Sequence, residues 1–284
     1  MQAAAISVSN RRGAAEALRT HWPEYLMEAG ALGLLMVSAC VVGVLLGHPA
    51  SPVHRAIPSP RIRQILGGIA MGLTAVGIIS SPWGQRSGAH MNPAVTLTFL
   101  SLRKVAPWDA LFYVVAQFAG GVVGVVLSGW VIGPPLAHAS INYVVTVPGP
   151  PGPWVAFGAE FVISFLLIAV ILNVSNSPRT ARFTPWVAGL LVATYISIEG
   201  PLSGMSMNPA RTVGSAVPSG AWSAVWIYFL APPVAMLCAG QLYLHFRGAH
   251  RVFCAKFHHH NDKRCIFRCG FTELMNLGAI NDEQ

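Results

Sequence analysis

Gly88-Ala89-His90-Met91-Asn92-Pro93-Ala94-Val95-Thr96 returns later in the chain as Gly204-Met205-Ser206-Met207-Asn208-Pro209-Ala210-Arg211-Thr212, with six of nine positions identical. Asn is a strong helix N-cap, and Pro suits the next position because its fixed φ is helical and its missing N–H is not needed there. Each copy therefore reads as a helix start. The apolar run after each copy is too brief to cross a hydrocarbon core about 30 Å thick. Two re-entrant half-helices are expected, one opened by Asn92, Pro93 and Ala94 and the other by Asn208, Pro209 and Ala210.

The surroundings agree. Of the 284 residues, 54% are hydrophobic and only 10% charged, whereas about a quarter of the residues of soluble domains are charged. Segments long enough to span a bilayer lie at roughly 25–47, 62–81, 109–131, 155–174, 184–200 and 222–246. The expected fold is an all-α membrane protein with six transmembrane helices plus the two half-helices, built as an inverted repeat. Residues 24–246 form the membrane domain, with repeats at roughly 24–131 and 154–246, between an amino-terminal arm (1–23) and a basic tail (247–284).

The formal charge of +8 is spread in a way that argues against nucleic acid as a partner. Fourteen of the eighteen Lys and Arg residues fall in the arm, the second-to-third and fourth-to-fifth connections, and the tail. The positive-inside rule then makes both termini cytoplasmic, in the plasma (inner) membrane. Arg55, Arg61 and Arg63 run against it. Arg11-Arg12 could open an export signal, but the apolar stretch that follows is too long and contains Glu24 and Glu28, so it reads as an uncleaved anchor.

Glu28 and Glu160 recur at the start of the first and fourth spans, a second trace of duplication. A carboxylate at that depth is costly and faces a partner inside the bundle. Glu24 reads as an ordinary surface acid. Four prolines argue against helix in 48–61, residues 80–88 read as irregular backbone lining a water path, and Pro218 closes the second half-helix. The connection 132–153, with its Gly-Pro runs, reads as a stiff extended loop, and Pro232-Pro233 as a kink in the last span. Gly67, Gly68, Gly72, Gly77, Gly120, Gly121 and Gly124 read as helix-packing positions.

The tail holds Cys254, Cys265 and Cys269 beside His258-His259-His260, but it has no Cys-x-x-Cys pair and a spacing that fits no standard finger. The expectation is no metal, no cofactor and no disulfide, with the tail lying near anionic lipid. An enzyme would need a nucleophile, base or metal cluster on facing helices, and the spans offer only Glu28, Glu160 and Glu199. Enzyme is therefore not the expected class.

The paired Asn-Pro-Ala motifs resemble those of the aquaporin and glycerol-facilitator superfamily, the major intrinsic proteins, over roughly residues 24 to 246. The resemblance implies a passive channel for water and small uncharged solutes (glycerol, urea or metalloid acids) that excludes protons and ions. It implies that Glu28 and Glu160 hold the re-entrant loops and that His90 is a loop histidine. It places Arg211 in an outer constriction with Met205, Ile196 and either Met71 or Gly72, depending on one gap. Ile196, Thr212 and Tyr228-Phe229 make the pattern most similar to the nodulin-like branch and its bacterial relatives. Asn92 and Asn208 would aim amide donors at one spot, the carbonyls of 87–91 and 203–207 would supply acceptors, and two positive helix ends would repel cations. The family also implies a homotetramer with a pore in every chain. The alternative is a non-conducting or gated scaffolding protein of the same fold.

Overall fold

A computed structural model describes residues 13–275. Arg11 and Arg12, and the tail beyond 275, lie outside the described residues. Among the described residues, six helices are long and apolar enough to cross a membrane: Ala14–Gly47 (α1), Pro60–Ser80 (α2), Pro107–Ile132, Pro153–Ser175, Ala181–Ile198 and Val225–Arg247. Of the shorter helices, Pro93–Ser101 (α3) and Pro209–Ser219 follow the two repeated motifs, and the fifth span is a 3-10 turn followed by Thr184–Ile198. In chain order the other spans and the second half-helix are α4 (Pro107–Ile132), α5 (Pro153–Ser175), α6 (Thr184–Ile198), α7 (Pro209–Ser219) and α8 (Val225–Arg247); the helices of four to six residues carry no label. No strand occurs among the described residues.

The half-helices α3 and α7 contain 9 and 11 residues, roughly 14 and 17 Å at 1.5 Å per residue. End to end they match one hydrocarbon core. The halves correspond: α1 packs on α4 and α5 on α8, α3 lies against α4 and α8, and α7 does the same. Close packing uses missing side chains. A Cβ on Gly120 or Gly124 would meet the backbone of Ala29 or Gly33 of α1, and one on Gly72 would meet Gly189 of α6. All eight tryptophans are exposed. By their places in the helices, Trp22, Trp83, Trp108 and Trp186 mark one face and Trp130, Trp154, Trp222 and Trp226 the other, as in the aromatic belts at membrane interfaces.

Several local expectations change. α1 begins at Ala14 and continues through Pro23, so the arm is partly helical. The proline-rich 48–61 holds a short helix, Pro52–Ala56, capped by Ser51, because proline at the first helical position favours a start instead of blocking it. Residues 82–87 form another such helix, capped by Ser81, and only 88–91 are irregular. α7 runs past Pro218 to a left-handed Gly220. The 132–153 connection includes a short helix, Pro134–Ala137, and a 3-10 turn, and it packs over the second motif. There Thr146 meets the Thr212 hydroxyl at 3.0 Å, and the Gly149 N–H donates to the Leu202 carbonyl.

Candidate functional site

Both motifs are built the same way. Ser87-Gly88 and Ser203-Gly204 end a short helical turn with a left-handed glycine, φ 97° and 78°. Ala89, Met91, Met205 and Met207 follow with φ of 50–55°, a conformation costing non-glycine residues about 1–3 kcal/mol each when the surroundings impose it. What imposes it is a buried carboxylate. Glu28 accepts from the Ser87 hydroxyl at 2.9 Å and from the backbone N–H groups of His90 and Met91 at 2.9 and 2.7 Å, with Gln117 at 3.0 Å as a fourth donor. Glu160 accepts from the Ser203 hydroxyl and the N–H groups of Ser206 and Met207, all at 2.7 Å. Tyr113 donates to the Ser87 carbonyl at 2.6 Å and Tyr228 to the Ser203 carbonyl at 2.5 Å. Glu24 departs from its surface reading, being buried and paired with Arg86 at 2.8 Å.

The two motifs are tied across the midline. Asn92 caps α3 by accepting from the Ala94 N–H, and its amide donates to the Met207 carbonyl at 2.7 Å. Asn208 caps α7 by accepting from Ala210 and Arg211, and donates to the Met91 carbonyl at 2.6 Å. A primary amide has two N–H donors. Each asparagine thus keeps one beyond the cross-tie. Of the carbonyls expected to line the approaches, Ser87, Gly88, Met91, Ser203 and Met207 are already engaged within the chain.

A cavity of about 300 Å³ runs between the halves, and Asn92, Asn208, Arg211, Met205, Ile196 and Met71 line it. Gly72 does not; it is spent on the contact with α6. Pro93, Ala94, Pro209 and Ala210 are buried beside the cavity as the first turns of α3 and α7. Arg211 makes no ion pair among the described residues, and its Nη1 is buried without a hydrogen-bond partner, as are both carboxylate oxygens of Glu199. His90 lines the same cavity; its Nδ1 meets Thr96 at 3.1 Å and its Nε2 meets the Ala255 carbonyl at 2.8 Å.

Four features went unread in the sequence. Ser87 and Ser203 precede the repeated glycines and were legible by extending the comparison one residue. Tyr113 and Tyr228 give no signal without the fold. Val144, from the long connection, and Phe257, from the tail, also line the cavity. The tail is folded: Cys254, His259, Cys265 and Cys269 bring their ligand atoms within 4.8 Å of one another, although no metal was expected there.

A six-span helical bundle whose inverted halves each send a half-helix to a shared polar midpoint defines a class of membrane protein. The chain matches the major intrinsic protein family over residues 18–243 and belongs to it. It is similar to Aquaporin NIP2-3 of Zea mays, 37% identical over 202 residues that cover 69% of this chain and 63% of the relative. It is similar to Glycerol uptake facilitator protein-like 6 of Lactiplantibacillus plantarum, 35% identical over 61% of this chain and 80% of that protein. The match thus spans less than two thirds of the maize protein's length. This mixture of plant NIP aquaporins and a bacterial facilitator-like protein agrees with the branch read from Ile196 and Tyr228. The fold is shared with the X-ray structure of the aquaglyceroporin from Plasmodium falciparum, TM-score 0.64 at 21% identity, covering 79% of this chain and 96% of that one.

Proposed function

We propose that the protein is a passive transmembrane channel for water and small uncharged solutes, and that it is not an enzyme. The observation that carries this is the cavity between the halves, where Asn92, Asn208 and Arg211 supply donors against a mostly apolar lining that includes Met71, Ile196 and Met205. Water or a hydroxyl solute gives its oxygen to the spare asparagine N–H and to Arg211. A cation meets two positive helix ends and a guanidinium, and is turned back. The apolar constriction favours glycerol, urea or an uncharged metalloid acid as solute. Membership of a family with plant NIP aquaporins and a facilitator-like relative supports the same reading.

In this reading Glu28 and Glu160 are structural carboxylates, and Met71 occupies the constriction position that the sequence left open between it and Gly72. Both termini are cytoplasmic, and four chains assemble with one pore in each. Stopped-flow light scattering on proteoliposomes tests the function with water, glycerol and urea gradients in turn. Water or solute entry faster than in protein-free vesicles is expected. Entry no faster than in empty vesicles for all three, from protein treated with a metal chelator as well as from untreated protein, counts against the channel and favours a scaffolding protein of the same fold.

A further inference from the structure

Residues 252–270 form neither helix nor strand, yet Val252, Phe253, Cys254, Ala255, Phe257 and Phe267 are buried. The segment turns back into the face where α1 begins. The Phe257 N–H donates to the Gly88 carbonyl, the Arg268 N–H to the Lys104 carbonyl, and the Phe253 N–H to Asn176. Phe267 stacks on His90 with ring centres 5.4 Å apart, and Phe257 reaches the cavity itself. An irregular segment this short has little apolar area of its own and few ladder hydrogen bonds. Such segments are ordinarily held by a cross-link or a metal.

The tail contains the means. Cys254 Sγ and Cys265 Sγ are 3.6 Å apart, His259 Nε2 and Cys269 Sγ 3.0 Å, and all four atoms fall within 4.8 Å. A tetrahedral zinc with Zn–S of about 2.3 Å and Zn–N of about 2.0 Å needs donor-to-donor edges of roughly 3.5–3.8 Å. Three thiolates and one imidazole are a donor set that selects zinc among the common divalent ions. Burial falls from Cys254, inside, to Cys269, exposed, which leaves one edge open for entry. Binding releases the three thiol protons to solvent and leaves the site with one net negative charge. Lys256, buried between the ligands and donating to the Lys263 and Arg264 carbonyls, lies close enough to offset it.

We propose that Cys254, His259, Cys265 and Cys269 bind one zinc ion, and that the bound ion holds Phe257 in the mouth of the cavity, so that zinc closes the channel. Metal withdrawal frees the loop, and Phe257 leaves with it. The closing function rests on the channel reading above; the zinc site does not.

The test uses the full chain. Protein purified with reductant, stripped by a chelator and titrated with cobalt(II) in detergent is expected to develop a thiolate-to-metal absorption band at one equivalent per chain, which zinc then displaces. Cys265→Ser and Cys269→Ser are expected to lose the band. Absence of the band in the parent, its survival in both variants, or a Cys254–Cys265 disulfide in protein isolated under thiol-blocking conditions would overturn the site. In proteoliposomes, zinc removal and Phe257→Ala with zinc bound are each expected to speed water entry about tenfold over the zinc-loaded parent. Flux that ignores both changes overturns the gate while the channel stands. No flux even in stripped Phe257→Ala refutes channel and gate together, with the cobalt result still deciding the site.

Discussion

Glu160→Gln changes one atom's chemistry and nothing in shape, which makes it a strict test of what holds the second motif. One carboxylate oxygen accepts from the Ser203 hydroxyl and the Ser206 N–H, the other from the Met207 N–H. In either orientation of a glutamine amide, one backbone N–H then faces a donor. A buried donor without an acceptor costs about 1–3 kcal/mol, and the surviving bonds each lose roughly 1 kcal/mol in passing from charged to neutral acceptors. The sum is about 3 kcal/mol, acting on a loop in which Met205 and Met207 are held at φ of 50° and 54°. At 1.4 kcal/mol per tenfold, the ordered loop loses population by roughly a hundredfold relative to its disordered forms. The expected result is a lower thermal unfolding midpoint in detergent and slower water flux than the parent, with Glu160→Ala at least as impaired. A Glu160→Gln protein with the parent's midpoint and flux would refute the reasoning.

Two more substitutions probe the charge barrier and the helix contacts. Arg211→Ala removes a half-buried cation from the cavity wall; with a separation of about 6 Å and an effective dielectric near 20, the barrier to a passing cation drops by roughly 3 kcal/mol, or about a hundredfold in rate. A pH-sensitive dye trapped in vesicles reads this as a proton leak, and an unchanged leak would remove Arg211 from the barrier. Gly120→Ala places a Cβ against the backbone of Ala29, while at Gly30 nothing lies within 4 Å. Gly120→Ala is expected to destabilise by about 1–3 kcal/mol and Gly30→Ala to stabilise by up to about 1 kcal/mol; equal effects in detergent unfolding would contradict the assigned packing.

The half-helices were legible because Asn-Pro carries its own local geometry, and a second copy removes the chance reading. Glu28 and Glu160 were legible for a related reason: a carboxylate among apolar residues demands a partner. The donors that answer them were less visible. Ser87 and Ser203 look like ordinary loop serines, and Tyr113 and Tyr228 meet the motifs only once α4 and α8 are packed. The start of α1 was misjudged because charged residues around Pro23 suggest an arm, whereas helix continues wherever tertiary contacts hold it. His21 and Tyr25 both reach Asp109 of α4 there, at 2.7 and 2.6 Å. The tail was read by spacing alone, and spacing describes ligands only when they come from regular turns. Cys254, His259, Cys265 and Cys269 converge through an irregular loop, a convergence that intervals along the sequence do not express.

The crossed amides of Asn92 and Asn208 also make the two repeats depend on each other. Each repeat completes the other's backbone, so neither repeat is a finished unit by itself. Taken alone, either half would leave its Asn amide without the carbonyl that the other half supplies. Within the motif the copies differ at three positions, Ala89 against Met205, His90 against Ser206 and Val95 against Arg211, and none of these supplies an atom to the crossed amides.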